Sequence, residues 1–239
     1  MVEDRYATGA YGRDNPGWHA EDAPHKAKIL AEVLRGLEPV PELVVDVGCG
    51  TGGVLAHLKA LLDRAGLERT RYQGWDVAPE AVERARALAG PRLDFVLGDL
   101  AAAELRADLV LCVDVVEHLV DDLAFLVALR SRGQRFLFRL PLDLSALDVV
   151  RPHRLLAARR RWGHLHAYSR ATALQLLSEA GYRALQVSYD RVPPEVEGLR
   201  GRAVDAVRRG AFRIAPHATV AVLGGWSLVV LAEPLPSDG

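Results

Sequence analysis

Val44-Val45-Asp46-Val47-Gly48-Cys49-Gly50-Thr51-Gly52-Gly53 decides how the rest of this chain is read. The run of valines is a buried strand that enters a glycine turn, after which Val54, Leu55, Leu58, Leu61 and Leu62 recur at helical spacing. Glycines at alternate positions permit positive φ and let a ligand approach the main chain without meeting a Cβ. The helix that follows aims its free N–H groups and positive dipole end at the same place, which suits a carboxylate or phosphate. Gly48-x-Gly50-x-x-Gly53 also satisfies the dinucleotide fingerprint. Asp46 separates the two readings. A carboxylate at that strand end would repel a pyrophosphate but could hold an ammonium, so an amino-acid-bearing ligand is favoured.

The stretch has the form hydrophobic-hydrophobic-Asp-x-Gly-x-Gly-x-Gly, and it resembles the first motif of the class I S-adenosylmethionine-dependent methyltransferases. The resemblance implies an α/β fold: a doubly wound, seven-stranded, mostly parallel sheet with an antiparallel C-terminal hairpin strand. It also implies S-adenosylmethionine as cofactor, with Asp46, Gly48, Cys49, Gly50 and Gly52 around the methionine part. Asp76 ends the next strand just over 20 residues past the turn, where an acid accepts hydrogen bonds from ribose hydroxyls of either cofactor type. Val77 lies beside it. Gly98-Asp99-Leu100 follows a short third strand, and the family pattern assigns Asp99 to the adenine amino group and Leu100 to the ring. The residues alone read equally as a Gly-Asp turn.

Composition sets bounds on this. With 239 residues, half of them hydrophobic, and a net charge of −1, the chain is an ordinary globular protein without a global pull toward nucleic acid. Two cysteines in apolar strands, Cys49 and Cys112, fit buried thiols in a reducing, cytoplasmic setting. The start Met1-Val2-Glu3-Asp4-Arg5 lacks a signal-peptide core. No apolar run reaches the roughly 18 residues of a membrane span, so no membrane partner is expected.

Methyl transfer from a sulfonium is an in-line displacement, so a protein has chiefly to align the partners and exclude water. A hydroxyl acceptor must also lose its proton, which requires a base or a metal. The candidates are concentrated in two places. Asp114, Glu117 and His118 form D-x-x-E-H after the fourth strand, and His164 and His166 lie just before a helix capped by Ser169. Glu117, His118, His164 and His166 are therefore the expected acceptor-side groups. Glu-His-Leu resembles the fourth-strand motif of small-molecule methyltransferases. The wider pattern is similar to the E-x-x-E-H plus distant His of ubiquinone-pathway O-methyltransferases and small-RNA 2′-O-methyltransferases, which hold a divalent metal. On that pattern Asp114, Glu117, His118 and His164 would be metal ligands, with aspartate in place of the first glutamate. Asp114 is also a candidate on the cofactor side.

The layout expected is one domain over 1–239. A lid and helix occupy 1–40, the cofactor core 41–141, and acceptor-side insertions 142–168 and 192–218. Tyr6, Tyr11, Trp18 and His19 supply the rings of the lid, and Arg151, Arg154, Arg159, Arg160 and Arg161 could bind an anionic acceptor. Thr219 to Ala232 is expected to be the last strand. The reading is methyl transfer to a small-molecule hydroxyl. Its alternatives are a metal-assisted RNA 2′-O-methyltransferase, although base-stacking aromatics among the arginines are sparse, a nicotinamide-dependent oxidoreductase, and a non-catalytic cofactor-binding protein.

Overall fold

The computed structural model describes residues 12, 17–18, 20–192 and 198–236. The expected lid residues Tyr6, Tyr11 and His19 lie outside them. The strands are β1 (Leu43–Val47), β2 (Arg71–Asp76), β3 (Leu93–Leu97), β4 (Ala107–Val113), β5 (Gly133–Pro141), β6 (Tyr182–Arg191) and β7 (Trp226–Pro234). They form one seven-stranded sheet in the order β3-β2-β1-β4-β5-β7-β6. Only β7 runs against its neighbours, pairing antiparallel with β5 and β6. The α/β sheet with its antiparallel C-terminal strand is the one the glycine motif implied. Strand order reverses on the two sides of β1, and the crevice at such a switch point is where open α/β sheets bind ligands.

The helices before and between the first strands are α1 (Ala23–Leu34), α2 (Gly53–Asp63), α3 (Pro79–Arg86) and α4 (Asp122–Leu129). Both faces of the sheet are covered, so its central strands are mostly apolar, with Asp46 and Arg139 as buried charged exceptions. The two-residue period divides them cleanly. Val110, Cys112, Phe136 and Phe138 enter one core cluster with Leu126, Leu177 and Tyr182. Leu109, Leu111 and Leu137 enter the other, with Leu30, Leu34, Leu55 and Leu58. Tyr182 meets Phe136 and Phe138 edge to face, with ring centroids 4.9 and 5.0 Å apart.

The second half of the chain departs from the sequence reading in two places. The segment after β5 is helical: α5 (Ala146–Val150), capped by Ser145, and α6 (His153–Arg161). Arginine is a good helix former, and a helix with apolar residues on a narrow stripe shows little periodicity over nine residues. After α7 (Arg170–Glu179), β6 and α8 (Gly198–Ile214) comes the second departure. The expected strand from Thr219 begins as α9 (Pro216–Leu223), and β7 starts only at Trp226. Pro216 is a first-turn helix residue, and Gly224 and Gly225 take φ of 59° and 89°, which ends the helix before the strand can begin.

Candidate functional site

The glycine turn is fastened to β2 by its first amides. Gly48 N–H and Cys49 N–H donate to the Trp75 carbonyl at 2.8 and 3.0 Å, and Gly50 N–H donates to Asp76 Oδ2 at 2.8 Å. Asp76 Oδ1 accepts from Ala78 N–H at 2.8 Å, so this carboxylate organises the turn and the start of α3 together. Gly48 and Gly52 are fixed by their surroundings as well as by positive φ. A Cβ on Gly48 would lie 2.6 Å from Val115, and one on Gly52 would lie 2.6 Å from Phe95. Trp18 lies over Gly50.

Asp46 sits beneath this turn, 2 % exposed, and its Oδ1 has no hydrogen-bond partner among the described residues. Burial, reinforced by the charge of Asp76 and only partly offset by Lys26, pushes its carboxyl up to about 8. A buried carboxylate with an unmet oxygen is costly unless something cationic completes it. The ammonium of an amino-acid-bearing cofactor would do so, and the residues therefore fit S-adenosylmethionine. Val77 is 52 % exposed at the same sheet edge and is open to a ligand. Asp99 is exposed and caps the short turn Leu100–Ala102 by accepting from Ala101 N–H at 2.8 Å. Leu100 corrects the sequence reading. Its side chain is 1 % exposed and committed to the main core, so no face of it is open to a ring. Cys49 is also buried.

On the acceptor side the turn Val116–His118 carries Glu117, whose carbonyl accepts from Leu165 N–H at 2.7 Å and His166 N–H at 3.2 Å. Those two bonds bring the segment before α7 onto the end of β4. Glu117, His118 and His164 then converge, with one candidate ligand atom from each lying within 4.8 Å of the others. Glu117 is 0 % exposed, and neither carboxylate oxygen has a hydrogen-bond partner among the described residues. Burial and the Asp114 charge raise it to about 8. The His164 ring meets the His118 ring edge-on at 5.0 Å, and its Nδ1 donates to Asp143 Oδ2 at 2.5 Å. Burial would lower His164, but the Asp143 bond and the charge of Glu117 outweigh it and leave the imidazole raised.

Two expected members do not join this cluster. Asp114 stands apart from it as a ligand, because Arg139 Nη1 donates to both of its oxygens at 2.5 Å and Lys26 Nζ lies 2.9 Å from Oδ2. These cations hold its carboxyl well below the usual range despite burial. They also anchor a non-glycine residue at φ 55°. His166 is turned aside, with Nε2 donating to the Leu119 carbonyl at 2.9 Å. The charge chain that captures Asp114 continues from Arg139 to Asp190 at 2.7 Å, and from Asp190 to His25 at 2.7 Å. Sequence reasoning missed Lys26, Arg139, Asp143 and Asp190. The signal for Arg139 was available, since a lone charge inside Phe136-Leu137-Phe138-Arg139-Leu140 requires a buried partner.

Asp46 and Glu117 together predict how stability depends on pH. Each carboxyl is higher in the fold than its ordinary 3.8 or 4.5, so the folded state holds protons that the unfolded state releases. The stability these two groups contribute is full below the ordinary carboxylate range and is lost as pH rises toward about 8. Thermal unfolding of the ligand-free chain is expected to fall in midpoint between pH 5 and 8, with a shallower slope in Asp46→Asn.

Comparison with known proteins gives the same fold. Residues 44–131 match the family described as a methyltransferase domain. The chain is 41 % identical over 114 residues to the ubiquinone biosynthesis O-methyltransferase of Cereibacter sphaeroides (strain ATCC 17025 / ATH 2.4.3), covering 44 % of this chain and 43 % of that protein. It is 28 % identical over 133 residues to ajmaline N-methyltransferase of Rauvolfia serpentina, covering 48 % of this chain and 44 % of that one. This chain thus spans about half the length of the curated relatives it matches. Among solved structures, magnesium protoporphyrin IX methyltransferase from Synechocystis PCC 6803 with bound SAH superposes with a TM-score of 0.59 at 18 % identity, over 88 % of this chain and 84 % of that one. Mitomycin 7-O-methyltransferase gives 0.56 at 18 % identity, over 88 % and 54 %.

Proposed function

We propose that this chain, which carries a methyltransferase domain on the class I methyltransferase fold, transfers the methyl group of S-adenosylmethionine to a hydroxyl oxygen of a small-molecule acceptor. The observation that carries this reading is the buried, incompletely bonded carboxylate of Asp46 under the glycine turn, with Asp76 one strand away. Asp46 binds the ammonium of the methionine part, the start of α2 faces its carboxylate, and Asp76 takes the ribose hydroxyls. The cofactor supplies an electrophilic methyl on a sulfonium, so the chain's own work is orientation, exclusion of water and removal of one proton.

His164 is the proton acceptor in this reading. Its Nδ1–H is fixed by Asp143, which leaves the Nε2 lone pair for the acceptor hydroxyl, and the Asp143 carboxylate favours the imidazolium once it forms. His118 edges the same space. A divalent cation is a second option for these groups, because one carboxylate and two imidazoles with an unmet acid oxygen suit Mn, Fe or Zn. In that case Glu117, His118 and His164 would be its ligands and Asp143 would orient His164 from behind. The decisive assay follows labelled methyl transfer to matched phenol, aniline and thiol acceptors, with and without EDTA. Methylation of the phenol alone supports the hydroxyl reading, and transfer only to nitrogen or sulfur overturns it. Activity lost in EDTA and restored by metal assigns the cluster to metal binding.

A further inference from the structure

Arg208 of α8 is only 7 % exposed and has no carboxylate within ion-pair distance among the described residues. Its one hydrogen bond there is Nη2–H to the Leu223 carbonyl at 3.1 Å, and its guanidinium lies 6.0 Å from the centre of the Trp226 ring. Buried charges are normally paired, and leaving one unpaired is expensive. Room has nevertheless been made for this one. A Cβ on Gly225 would lie 2.6 Å from Arg208 Nη1, and the neighbouring Gly224 is held by close approach to Asp148 and Ser145.

Two further guanidiniums, Arg154 and Arg191, oppose the charge on Arg208, and Asp148 and Asp205 support it from beyond ion-pair distance. Their acids are already engaged: Asp148 by Arg154 at 2.7 Å, and Asp205 by Arg191 and by Arg209 at 2.7 Å. Four guanidiniums therefore face two carboxylates, and the buried one is left over. The main chain ties this place to the acceptor groups. Leu142 N–H donates to the Trp226 carbonyl at 3.0 Å, and the next residue, Asp143, is the one that holds His164.

We propose that Arg208, supported by Arg154 and Arg191, is a binding site for an anionic group, a carboxylate or a phosphate, borne by the methyl acceptor. The occupant rests on the methyl-transfer reading; the anion site itself rests only on the unpaired buried guanidinium. A planar guanidinium over an aromatic ring is preorganised for a two-oxygen anion, and charge-assisted bonds of this kind are about twice as strong as neutral ones.

The test titrates benzoate and inorganic phosphate into the full chain at constant ionic strength, following tryptophan fluorescence, since Trp226 lies under Arg208. Saturable binding is expected, weakened about tenfold or more in Arg208→Gln, as for loss of a charged hydrogen-bond partner. Response to benzoate alone identifies a carboxylate as occupant, and response to phosphate alone a phosphate. Absence of saturation by either anion, or equal binding by wild type and variant, overturns the proposal. Should Arg208→Gln fail to fold, Arg154→Gln and Arg191→Gln substitute for it, and undiminished binding in both is contrary. S-adenosylhomocysteine calorimetry on the same samples keeps the two ideas apart, because a working anion site in a protein that ignores the nucleoside would sink only the methyl-transfer reading.

Discussion

His164→Ala is expected to lower kcat for a phenolic acceptor by about 10²–10⁴, the range for removing a positioned general base. Affinity for S-adenosylhomocysteine should be unchanged, because His164 stands with the fourth-strand groups and not with the glycine turn. The companion variant Asp143→Asn distinguishes proton transfer from packing. Burial lowers the His164 pKa and the Asp143 bond raises it, with the rise prevailing. The base form is present above that pKa, so activity climbs as pH rises through it. Loss of the Asp143 charge should therefore move the acidic limb of the kcat profile to lower pH. A wild-type profile in Asp143→Asn, or full activity in His164→Ala, would move the proton acceptor elsewhere.

Arg139→Met is expected to be the most destabilising single change in the sheet, by about 3–5 kcal/mol, the usual cost of removing one partner of a buried charge pair. Arg139 is 6 % exposed and holds Asp114 on one side and Asp190 on the other. Its removal leaves Asp114 with Lys26 alone and Asp190 with His25 alone, and Asp114 sits in a left-handed backbone conformation that the Arg139 contacts help to secure. The measurement is the urea midpoint of unfolding. Adding Asp114→Asn and Asp190→Asn to Arg139→Met should recover much of the loss, since residues in one network are strongly non-additive. A loss below about 1 kcal/mol, the scale of a surface ion pair, would mean the network is solvated and does not tie α1 to β6.

The parts of this molecule that follow a period or a motif were legible in its sequence. Val44 to Gly53 specified strand, turn and helix because each residue there has one job, and the continuous apolar run of β4 marked a buried fourth strand. Glu117, His118 and His164 were named from spacing plus resemblance, and the fold brings them together. What sequence could not show was which charge meets which. Asp114 looked like a ligand because its partners, Lys26 and Arg139, lie far from it along the chain and meet it only through the sheet. Leu100 looked like a ring contact because a motif fixes a position along the chain and leaves the direction of the side chain open. The helices α5, α6 and α9 were hidden for a related reason: their stability comes from packing on one another, which leaves little periodicity to read.

The whole account turns on Asp46 as the anchor of an amino-acid-bearing cofactor, and calorimetry with S-adenosylhomocysteine at pH 7 in two buffers of different ionisation enthalpy tests it most directly. With its carboxyl near 8 in the free protein, Asp46 is mostly protonated at pH 7 and must ionise to meet an ammonium. Binding should therefore release close to one proton, seen as a buffer-dependent heat, and Asp46→Asn should bind far more weakly and release none. No heat with the wild-type chain, or tight binding that is indifferent to buffer and to Asp46→Asn, would contradict the account.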